Sequence, residues 1–132
     1  MFTHIVSRNW SRNGDSIVGN QSVEAGGETN RDETIPAETS DVLVAFVLDV
    51  SQAKVLYIKS DKDLIIETNS AGSAVNTFTL AAGVPYVWVV GDAAMRDTAG
   101  AAVTTDITAL YVTNAGEDAA ELQIRCLFDP TV

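Results

Sequence analysis

The residues able to do chemistry in this chain are few. One histidine, His4, and one cysteine, Cys126, are present. A Ser-His-Asp arrangement would have to recruit His4, and no Gly-x-Ser-x-Gly turn is there to present a nucleophile. Asp61-Lys62-Asp63 and Glu117-Asp118 offer oxygen ligands, but without the Asp-x-Asp-x-Asp-Gly spacing of a strong calcium loop. Both groups fall where polar turns are expected, and turn chemistry accounts for them. Carboxylate pairs suited to glycoside hydrolysis can be drawn from 18 acids in many ways, and abundance selects none of them. Gly26-Gly27 is followed by acids, which would repel a phosphate. The expectation is a protein that is not an enzyme and that uses no cofactor and no metal.

Aromatic residues are the better lead. In Tyr86-Val87-Trp88-Val89, alternation puts Tyr86 and Trp88 on one face of a strand. Exposed, the two would form a ligand-binding pair suited to sugar stacking or a protein interface. The competing and preferred expectation is that both pack inside, with their polar atoms bonded at the rim. Trp10 stands between Asn9 and Ser11, flanked at a short distance by Arg8 and Arg12. A large aromatic among polar neighbours suits an anchor, so Arg8, Trp10 and Arg12 are the candidate partner-binding residues.

Charge sets limits on partners. Eight Lys and Arg against 18 Asp and Glu give a net charge of −10, which disfavours nucleic-acid backbones and anionic membranes. Before Asp15 the only charged side chains are Arg8 and Arg12, with His4 nearby; from Asp15 to Asp41 seven acids face Arg31 alone. A mildly basic arm preceding an acidic body could dock on an acidic partner, or could be a solvated strand with two surface arginines. No run approaches the roughly 18 apolar residues of a membrane span. The opening residues lack the order of a secretory signal, so synthesis in the cytoplasm is expected.

The elements that must position these residues are strands. Val42–Val50 is nearly continuous in apolar residues and predicts a strand covered on both faces. Val55–Ile58 and Leu64–Thr68 flank a short polar connection and predict a hairpin; Ile107–Thr113 and Ala120–Phe128 predict a second. Thr77–Leu80 and a strand from about Tyr86 complete the second half. Phe2–Val6 and Ser16–Val23 are plausible strands, Ala25-Gly26-Gly27 is a turn or hinge, and Glu28–Thr34 is an edge strand, a linker or an extended arm. Asp92–Asp106 is rich in Ala, Gly and Thr and predicts a long loop, with a helical turn after Asp92. Cys126 alternates with Leu122, Ile124 and Phe128 and reads as a buried hydrophobe. Seven to nine short strands with no convincing helix predict an all-β, single-domain antiparallel β-sandwich or jelly-roll. Residues 1–14 would form an N-terminal arm or first strand, and residues 15–132 the body.

Three phrases, Leu64–Ser70, Leu80–Trp88 and Ile107–Asn114, with the closing Leu122–Asp129, resemble small virion proteins of tailed bacteriophages, among them capsid decoration (cement) proteins. The resemblance spans roughly residues 40–130 and includes no catalytic motif. It implies a β-sandwich on the capsid exterior, bound to the major capsid protein, often as a homo-trimer, and stabilising the head. The alternative is a receptor- or carbohydrate-binding module of a tail or cell-surface assembly, using Tyr86 and Trp88.

Overall fold

A computed structural model describes residues 1–130, and ten strands carry the chain: β1 (Phe2–Arg12), β2 (Asp15–Ala25), β3 (Gly27–Ile35), β4 (Thr39–Val44), β5 (Ala53–Ser60), β6 (Leu64–Thr68), β7 (Thr77–Leu80), β8 (Tyr86–Val89), β9 (Leu110–Asn114) and β10 (Ala120–Phe128). A single 3₁₀ turn, Val50–Gln52, is capped by the Asp49 carboxylate, which accepts from the Ser51 N–H.

Eight strands make two antiparallel four-stranded sheets, one ordered β3-β10-β5-β8 and the other β4-β9-β6-β7. Numbered within those eight, the orders are 1-8-3-6 and 2-7-4-5, the interleaving of a jelly-roll. From β3 to β10, only the β6–β7 connection stays within a sheet; every other one crosses the sandwich.

Period-two alternation builds the core from both sides. Along β10, Ala120, Leu122, Ile124 and Cys126 are fully buried while Glu121 and Gln123 point out. Leu56 and Ile58 meet them from β5, and Leu64, Ile66, Phe78, Leu110 and Val112 close the core from the opposite sheet. Burying each such side chain contributes about 1.5–3 kcal/mol relative to leaving it in water. Gly27 stands opposite Phe128 in register, where a Cβ would overlap that ring, so any larger residue requires the ring to move.

Three expectations are corrected. The two predicted hairpins do not form, because β5 and β6 lie in opposite sheets, as do β9 and β10. Each short polar connection instead arches across the sandwich end, so Ile58 and Leu64 reach one core from two sides. The run Val42–Val50 is a strand only to Val44, and it is covered on one face: Val44, Phe46 and Leu48 are buried, while Leu43 and Val47 are 63% and 71% exposed. After Val44 the chain continues extended, rejoining through paired hydrogen bonds between Leu48 and Ile107. Glu28–Thr34, left open between three forms, lies in the edge strand β3.

Candidate interaction surface: a docked and overhanging hairpin

β1 and β2 belong to neither sheet. They pair with each other over their full length, from Phe2↔Ala25 to Arg12↔Asp15, as a two-stranded hairpin. Asn13 and Gly14 turn the chain with φ of 44° and 92°, both left-handed as a two-residue hairpin turn needs. The boundary drawn between residues 14 and 15 therefore falls at the tip of this hairpin. Asn13-Gly14 between two strand-forming runs is the signal that identifies it.

Register divides the hairpin into two faces. His4, Val6, Arg8, Trp10 and Arg12 share one face with their partners Val23, Gln21, Gly19, Ile17 and Asp15. The first part of that face packs on the outside of the β3-β10-β5-β8 sheet. Val23 and Ala25 are buried against Val55, Val89 and Leu127, with Val6, Val87 and Val90 around them. This contact explains why Leu127, on the outer side of β10, is fully buried.

Three polar contacts fix the docked part. His4 Nε2 and Glu28 Oε2 share a hydrogen bond of 2.8 Å. Gln21 Nε2 donates to the Val90 carbonyl at 3.0 Å. Arg8 donates from both terminal nitrogens to both oxygens of Asp92, which also accepts from the Val89 N–H. The Arg8 bond holds the Asp92 carboxyl below the usual carboxylate range, and bonds from His4 and then Asn30 do the same for Glu28.

Beyond Arg8 the hairpin leaves the body. Trp10 and its register partner Ile17 remain 51% and 68% exposed, on the continuation of the face that docks. Val18, on the reverse face, is 57% exposed. Arg12 and Asp15 face each other at the tip in register, and neither forms an ion pair among the described residues. Of the expected partner-binding residues, Trp10 and Arg12 are thus presented outward. Arg8 is engaged within the chain and serves to hold the hairpin down.

Tyr86 and Trp88 are placed differently from an open ligand platform. Both are half-buried on the inner face of β8 against the core. Tyr86 meets Phe78 edge-on at 4.9 Å and donates its hydroxyl to the Arg96 carbonyl at 2.6 Å. Trp88 Nε1 donates to the Ala93 carbonyl at 2.9 Å. Burial, reinforced by the nearby Asp97 charge, pushes the Tyr86 phenol up to about 12. Both rings pack inward with their polar atoms bonded to the chain, the arrangement preferred on sequence grounds, and the alternative of an exposed ligand-binding pair at Tyr86 and Trp88 is not what the fold presents.

Those acceptors lie in the Asp92–Asp106 loop, which forms no helical turn. The loop is organised by Asp97, whose carboxylate accepts from Asn76 Nδ2 and from the N–H groups of Thr77, Ala99 and Ala101. Burial alone would raise the Asp97 carboxyl; the bonds from Asn76 and the three amides outweigh it and lower it. Met95 and Val103 anchor the loop in the core. The length of this segment signalled a special role, but only the fold shows that one carboxylate orders it.

Asp61, Asp63 and Cys126 are spoken for by structure. Asp61 Oδ1 accepts from the Glu121 N–H and Asp63 Oδ1 from the Ala82 N–H, both at 2.8 Å, as turn-forming carboxylates do. No group of three His, Cys, Asp or Glu is placed to hold a metal among the described residues. Cys126 is fully buried, and burial pushes its thiol up to about 12. No helix is long and apolar enough to cross a membrane among the described residues.

The fold and surface define an all-β jelly-roll module that carries a projecting hairpin. No family model matches the chain, and no curated protein matches it. Among solved structures it is similar to a chain from Bacillus endospore appendages, a family of disulfide-linked pili, at 14% identity and a TM-score of 0.34. That alignment covers 81% of this chain and 96% of the other. A likeness of this degree carries no argument about function.

Proposed function

We propose that this protein is a structural adhesion module, a capsid decoration protein that binds the outer surface of a phage coat lattice and uses its hairpin as the contact element. One observation carries the reading: an ordered β-hairpin, latched at its base, holds Trp10 and Ile17 in water beyond the edge of the body. Solvent-exposed Trp and Ile on a preordered element suit an interface, since less conformational entropy is lost on binding than with a free arm. The jelly-roll occurs in viral capsid and lectin domains, which is compatible with a virion role but is fold-level analogy alone. The acidic body keeps the free protein soluble, and many copies on a symmetric lattice add weak contacts into firm attachment. The major capsid protein as partner and a trimeric arrangement belong to the same proposal.

The test is co-sedimentation with expanded, undecorated heads. Wild-type protein is expected in the pellet at saturable stoichiometry, and Trp10→Ala is expected largely in the supernatant. Absence of binding by the wild type across a range of salt overturns the proposal. The carbohydrate-binding alternative has no comparable support, because Tyr86 and Trp88 are engaged with the core and the loop.

A further inference from the structure

We propose that the open cleft at the far end of the sandwich receives the hairpin tip of a second copy of this chain, so that copies associate head to tail. The cleft, about 630 Å³, lies where the β5–β6 and β9–β10 connections meet the end of β7. Its wall includes the row Thr113–Ile65–Thr79 across three strands, with Ile65 44% exposed, together with Ala81, Ala82 and Ala115. Its rim carries Lys62 and three acids, Asp63, Glu117 and Asp118, all exposed and none in an ion pair among the described residues, with Asp63 accepting from the Ala82 N–H.

Charge and apolar surface pair this cleft with the hairpin tip. The tip offers an apolar pair, Trp10 and Ile17, and one unpaired charge of each sign, Arg12 and Asp15. The cleft offers apolar walls and both signs in return: Glu117 and Asp118 for Arg12, and Lys62 for Asp15. A chain with net charge −10 repels its own copies at long range, and the tip, where Arg12 offsets the single acid Asp15, is a part of the surface able to approach this acidic rim.

Geometry forbids a chain from filling its own cleft. The hairpin docks at the end of the sandwich where Phe128 pairs with Ala53, on the outer face of one sheet. The cleft lies where β5 ends at Ser60 and β10 begins at Ala120, against the other sheet. The eight residues of β5 separate these ends by roughly 25 Å. Two different surfaces of one chain that fit each other make a heterologous contact, which closes a ring or extends a filament.

The inference does not rest on the coat-binding reading, although both engage Trp10. Sedimentation velocity of the intact protein over a concentration series tests it, with circular dichroism confirming that each variant is folded. Wild-type protein is expected to show a weight-average sedimentation coefficient that rises with concentration. Trp10→Ala and the rim double variant Glu117→Arg/Asp118→Arg should each weaken association roughly thirtyfold or more. Arg12→Glu should weaken it as well, and mixing Arg12→Glu with the rim double variant should restore a complex, since the charges again match. A wild type that stays monomeric throughout overturns the proposal. So does association that survives the rim substitutions, which would place the tip on another surface. The rim variants retain the hairpin, so their binding to heads reports on the coat reading separately.

Discussion

Arg8 on β1 grips both oxygens of Asp92, in the turn after β8, at 3.0 and 2.7 Å, joining residues 84 positions apart. The pair lies where the hairpin leaves the body, so it divides the docked half from the overhanging half. Arg8→Ala should loosen the hairpin without unfolding the sandwich. Both partners are substantially exposed, so the loss in global stability should be no more than about 1 kcal/mol. Hydrogen exchange is the sensitive readout: β1 and β2 amides should lose protection while those of β10 and β5 do not.

Acid should act on the same latch. The Asp92 and Glu28 carboxyls titrate below their ordinary values when folded. Their contribution is therefore complete above the unfolded carboxylate range and is lost as pH falls through the depressed folded values. Amide protection in the hairpin should hold from neutral pH to about pH 4 and decline below it. Loosening instead between neutral pH and about pH 5 would assign the latch to another group.

Asp97 is the centre of the loop that supports Tyr86 and Trp88. Asp97→Ala strands the N–H groups of Thr77, Ala99 and Ala101 and removes one acceptor from Asn76. A cost of about 3 kcal/mol in denaturant unfolding is expected, with a change in Trp fluorescence as the Trp88 cover loosens. An unchanged midpoint would show that water replaces the carboxylate at little cost.

The alternation legible in the sequence located most strands and the buried side of β10, including Cys126. It could not reveal which strands are neighbours. Ser60–Asp63 is polar and short whether it turns within a sheet or arches between two, and the difference lies in partners distant in sequence: β10 for β5, and β9 for β6. Residue type marked Trp10 as a surface aromatic, but the neighbours of Arg8 gave no hint of Asp92. Tyr86 and Trp88 share a face as alternation requires, and pairing beside Leu56 and Ile58 of β5 turns that face to the core, with the loop folded over it.

Cys126 should be inert while the fold is intact. With its thiol buried and pushed up to about 12, reaction with an aromatic disulfide reagent should be negligible under native conditions and complete in denaturant. Rapid native labelling would contradict the close packing of β10 against the opposite sheet.

Removing residues 1–25 uncovers Val55, Val89 and Leu127 but no strand of either sheet. The truncated protein should still melt cooperatively, less stable by about 3 kcal/mol and more prone to aggregate. A non-cooperative melt would make the hairpin part of the folding unit rather than an appendage to it.

The hairpin as contact element is tested most directly by hydrogen exchange on the protein bound to assembled coat. Amides of residues 9–20 should gain protection on binding, with the exposed face of β4 and β6 unchanged. Protection appearing on Leu43, Val47 and Ile65 while the hairpin tip exchanges as freely as before would contradict the account.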